Sequence, residues 1–81
     1  MKTKVPKEMT RECANKLFRD TGGSPHDIFN EERRKYDRYV EYRETGQRLG
    51  PFLTLNDFKR AAIDAYVEKF RVLPTFPRSL I

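Results

Sequence analysis

The chain holds a single cysteine, Cys13, a single histidine, His26, and no tryptophan among its 81 residues. One cysteine cannot close an intramolecular disulfide, and it excludes a cysteine-rich zinc site. It fits a reducing, intracellular setting, so a cytoplasmic location is expected. Long apolar runs are also missing, so no membrane span is expected. The opening "MKTKVPKEM" is basic, but no apolar segment follows it, and it does not read as a signal peptide. A phosphate-cradling glycine loop is lacking as well: "TGGSP" reads as a turn, without the following Lys-Ser/Thr. No nucleophile stands at a recognisable spacing from His26, the carboxylates are dispersed, and there is no calcium-loop spacing. The sequence therefore points to no enzyme, no metal and no cofactor.

What the chain does have is charge. Charged residues make up 36 % and apolar residues 37 %, with a net charge of +5 and a pI near 9.6. Such a balance favours acidic partners, nucleic acid among them. The excess is not concentrated: residues 1–27 carry +2, residues 28–48 carry +1 and residues 49–81 carry +2. A chain of this length is one domain, 1–81, and buries only about 60 % of its unfolded surface.

The apolar spacing predicts a small all-α domain of three helices, at about 6–20, 25–45 and 55–71, with a basic lead at 1–5 and an extended, proline-containing tail at 72–81. In the first helix Met9, Cys13, Ala14, Leu17 and Phe18 recur at helical intervals. Gly22 or Gly23 would close it. "SPHD" then resembles a helix start, with Ser24 as cap, Pro25 at the first position and Asp27 at the third. In the helix so begun, Ile28, Phe29, Tyr36, Tyr39, Val40 and Tyr42 share an arc of roughly 160°. Gly46, Gly50 and Pro51 break it, and "TLND" caps the third helix with Thr54 and Asp57. That helix is apolar nearly all round, which predicts a central position or, for the surplus arc, a homodimer face. Pro74 and Pro77 forbid its continuation.

"NEERRKYDRYVE" resembles the last helix of J-domain co-chaperones. The His-Pro-Asp loop of that family has no counterpart here: "SPHD" has the letters in another order and only 29 residues precede the match. No residues are carried over from it. "LTLNDFKRAA" is similar to the opening of small DNA-binding helices, but about eight residues separate the second and third expected helices, too many for a helix-turn-helix.

The function that follows is a non-enzymatic helical binding protein, such as an adaptor, inhibitor or accessory subunit, docking on a protein. Tyr and Arg dominate interface hot spots, so the expected anchors are Tyr36, Tyr39, Tyr42, Arg43 and, in the tail, Phe76. The alternative is a nucleic-acid-binding accessory protein that contacts phosphates through Lys2, Lys4, Lys7, Arg33, Arg34, Lys35 and Arg38.

Overall fold

The computed structural model describes residues 4–74. It is an α+β fold: α1 (Arg11–Asp20), β1 (Gly23–Asn30), β2 (Lys35–Tyr42), β3 (Gln47–Phe52) and α2 (Leu55–Phe70). The three strands form one antiparallel sheet in the order β1-β2-β3. Helix α1 packs on α2 and on β1, and α2 also touches β3. The expectation of an all-α helical bundle is overturned, because the span assigned to its second helix is the β1–β2 hairpin.

Local chemistry explains each element. Helix α1 starts at Arg11 rather than near Pro6, because Thr10 is the cap and its hydroxyl accepts from the Cys13 amide. Upstream, the Met9 amide donates to the Pro6 carbonyl in a turn that carries the Met9 side chain into the core. Ala14, Leu17 and Phe18 are the buried stripe of α1. The helix ends at Thr21 and Gly22, whose φ of 95° suits a residue without a Cβ.

Between residues 23 and 52 the chain forms three strands and two turns in place of the expected helix, for local reasons. Tyr and Val fit a pleated, half-buried surface. Asn30 turns the chain: its side-chain oxygen accepts from the Glu32 and Arg33 amides. The second reversal, Arg43 to Gly46, is closed by the Gly46 amide on the Tyr42 carbonyl, with Gly46 at φ 72°. So "TG" closes a hairpin instead of ending a helix. Pro25 lies in an edge strand, where a missing N–H is tolerated. Pro51 lies in the other edge strand, beside a register shift between Arg38 and Val40, and its peptide bond with Gly50 is cis. Gly50 has φ 125°, and a Cβ there would stand 2.8 Å from the Arg38 carbonyl oxygen.

The core lies between the helices and one face of the sheet. It comprises Met9, Ala14, Leu17, Phe18, Val40, Phe58, Ala62 and Ile63. Three rings bind α1, β3 and α2 together: Phe18 lies 5.2 Å from Phe58 and 6.1 Å from Phe52, and Phe52 lies 5.5 Å from Phe58. Helix α2 begins with the Thr54–Asp57 cap, where the Asp57 amide donates to the Thr54 hydroxyl. It ends at Arg71, whose φ is 61°. It packs on a helix and a strand, not between two helices. Ala61, Ala65, Tyr66 and Val67, part of the surplus that suggested a dimer face, pack partly against the chain's own core. Among the described residues, no helix is long and apolar enough to cross a membrane.

Phe18→Ala removes the ring shared by this cluster and is expected to cost about 3–5 kcal/mol. That is a large part of the stability of a small domain. Urea titration followed by circular dichroism measures it; a loss below about 1 kcal/mol would show that the ring cluster does not hold the layers together.

Candidate docking cleft

The even-numbered residues of β2 face the helices and the odd-numbered ones face away. Val40 is fully buried on the helix side, and Tyr42 reaches the Thr21 hydroxyl at 2.9 Å on the same side. Further along, Arg38 lies under α1 and α2. Its guanidinium sits 4.9 Å from the Phe58 ring centroid. One terminal nitrogen donates to Asp27 at 3.1 Å and the other donates to Asn15 of α1. Beyond Arg38 the hairpin outruns the helices. Tyr36 and its cross-strand partner Phe29 pack edge to face at 5.2 Å, yet they are 68 % and 49 % exposed.

Between this hairpin end and the start of α2 lies an open cleft of about 250 Å³. Tyr36, Leu53 and Leu55 stand at its rim, and Phe52 and Phe58 line it with Arg11, Asp27 and Arg38. Leu53 is 60 % and Leu55 48 % exposed. Asp27 is held from two sides: Arg38 takes one oxygen, and Arg11 approaches the other at 3.7 Å.

The loop before Tyr36 is pinned from beneath. Asp37 is buried and accepts from the Asn30 side-chain amide at 2.9 Å and from Arg33. The Asn30 bond holds the Asp37 carboxyl below its ordinary value of 3.8, with help from Arg33 and Lys35, and outweighs the opposing effect of burial.

The expected anchors do not share a surface. Tyr36 alone reaches the cleft. Tyr39 points to the open face of the sheet, where the Arg48 guanidinium lies 5.4 Å from its ring. Tyr42 is spent on the core and on Thr21. Arg43 is exposed in the β2–β3 turn, at the far end of β2 from Tyr36. Phe76 lies outside the described residues, as does Lys2. Of the other basic candidates, Arg33 is committed to Asp37 and Arg38 to Asp27 and Asn15. Lys4 and Lys7 are exposed in the lead, Arg34 is exposed in the hairpin loop and Lys35 is exposed at the start of β2. His26 is not in a helix start; it lies mid-strand on the open face, 2.7 Å from Glu41.

Sequence reasoning missed Phe29, Leu53, Leu55, Arg11 and Asp27. One signal was available: Leu53 and Phe58 flank the Thr54 cap at the spacing of a hydrophobic staple. Among the described residues no cluster of His, Cys, Asp or Glu could hold a metal ion. No family model, curated protein or solved structure matches the chain.

Because the folded carboxyl of Asp37 titrates below the unfolded one, its contribution is present above the unfolded value of about 3.9 and fades as pH falls through the folded value. Asp37→Asn should therefore lower the melting temperature at pH 7, with the gap to wild type closing on acidification below about pH 4. Paired thermal melts from pH 7 downwards test this; a gap constant with pH would exclude the ionised carboxylate as its source.

Proposed function

We propose that this chain is a non-enzymatic binding module that docks on a protein partner through the cleft between its hairpin end and α2. The observation that carries the reading is the gathering of exposed apolar side chains. Eight large apolar residues are exposed among those described; three of them, Tyr36, Leu53 and Leu55, line this one concavity, and a fourth, Phe29, packs on Tyr36. Single exposed apolar residues are ordinary, whereas contiguous ones around a hollow mark interaction surfaces. Aromatic and arginine side chains at such a place supply the usual anchors.

A second reading, docking on nucleic acid, is favoured by one feature. Arg34 in the hairpin loop and Lys35 at the start of β2 stand exposed next to Tyr36. Two adjacent cations can meet phosphates.

The protein reading is tested by capture. Full-length wild type and a Tyr36→Ser/Leu53→Asp variant, matched by circular dichroism, are immobilised and exposed to nuclease-treated extract of the source cells. The expected result is a discrete protein retained by the wild type, lost from the variant and shown to bind directly when purified. Equal retention by both forms would sink the cleft as the surface. The nucleic-acid reading is tested with random duplexes between about 50 and 300 mM salt; no retention at the lowest salt ends it.

A further inference from the structure

The charges in the cleft are not equivalent, and their bookkeeping identifies the chemistry of an occupant. Arg38 offers an occupant little: its terminal nitrogens hold Asp27 and Asn15, its face lies on Phe58, and its Nε, though without a hydrogen-bond partner, is buried out of reach. Asp27 is neutralised between two guanidinium groups. Arg11 differs. Its side chain is 52 % exposed, and its approach to Asp27 at 3.7 Å is longer than a hydrogen bond. It is thus the cleft's cation with donors still open, and it stands beside the apolar rim.

We infer that the cleft takes a polypeptide segment that presents an apolar side chain next to a carboxylate. The apolar side chain fills the space between Tyr36, Leu53, Leu55 and Phe58, and the carboxylate pairs with Arg11. This rests on the docking reading above and adds the partner's chemistry to it. A guanidinium fork matches a carboxylate through two parallel hydrogen bonds. Phosphate would find the same cation, and the Tyr36 ring could stack on a base, but Leu53 and Leu55, which complete the rim, supply neither hydrogen bonds nor a stacking plane. The apolar rim therefore favours a polypeptide over a nucleic acid.

The test uses the full chain and three labelled ten-residue peptides, read by fluorescence anisotropy at two salt concentrations. One alternates glutamate with leucine and phenylalanine. A second replaces the glutamates with lysine, and a third replaces the apolar residues with alanine. The first should bind at least about tenfold more tightly than either of the others. Arg11→Gln should weaken the first peptide at least about fivefold, and Arg11→Glu should invert the preference between the first two. Both variants are checked by circular dichroism. Equal binding of the glutamate and lysine peptides, lost in Leu53→Asp, overturns the acidic partner while leaving the docking cleft standing. Failure of every peptide overturns the inference, and the capture experiment then reports separately on the docking reading. A duplex oligonucleotide that binds through Arg11 while no peptide does overturns it in favour of nucleic acid.

Discussion

The arrangement of this small fold depends on the partners that one half-buried cation, Arg38, finds. A guanidinium with its side chain only 16 % exposed must find partners for its donors or impose a large desolvation cost. Here the terminal nitrogens and the ring face find partners on separate elements, Asp27 from β1, Asn15 from α1 and the Phe58 ring from α2, while Nε is buried without a hydrogen-bond partner. Meeting all three at once sets where the hairpin lies relative to both helices. The apolar core alone would not do this, since hydrophobic burial is non-directional and tolerates sliding. The same side chain lines the cleft, so the groove's shape follows from the condition that keeps the charge paired.

The hairpin end gains its order from a second set of polar contacts. Asn30 closes the turn through two backbone amides, and its own amide donates to the buried Asp37. Asp37 in turn takes Arg33. Phe29 and Tyr36 are therefore exposed on a braced support, not on a loose loop. The edge-to-face pair adds about 0.5–1.5 kcal/mol beyond its buried area. Side chains held this way lose less freedom on binding, which is the general advantage of preorganisation.

Part of this was legible in the residues. The Thr54–Asp57 cap and the apolar period located α2 almost to its ends, and Met9, Ala14, Leu17 and Phe18 were all assigned to one packing face. The hairpin was not. Ser24-Pro25 serves equally as a helix start and as a stretch of edge strand, and tyrosines at 36, 39 and 42 mimic one helical face. In the strand the same spacing sends Tyr36 and Tyr42 to one side and Tyr39 to the other. The choice is made by tertiary context: β2 becomes a central strand only because residues on both sides of it pair with it. Of the expected anchors, Tyr36 is the one that lines the cleft. The staple spacing of Leu53 and Phe58 about Thr54 was readable, but that Leu53 and Leu55 border a cleft with Tyr36 was not, because that depends on where the hairpin end comes to rest.

The remaining surfaces of the sheet strengthen the case for the cleft. Its open face carries a polar network in which Glu41 meets both His26 and Arg48, while Arg48 also covers Tyr39. Those charges largely satisfy one another, as expected of a face turned to water. The two edge strands each contain a proline, Pro25 in β1 and Pro51 in β3, which leaves fewer donors for another strand to use. At the cleft the balance is reversed. Apolar side chains are exposed where the fold is braced, and Arg11 keeps donors unspent beside them. A surface that binds needs unfilled capacity held in a fixed geometry, and of these surfaces the cleft is the one that combines both.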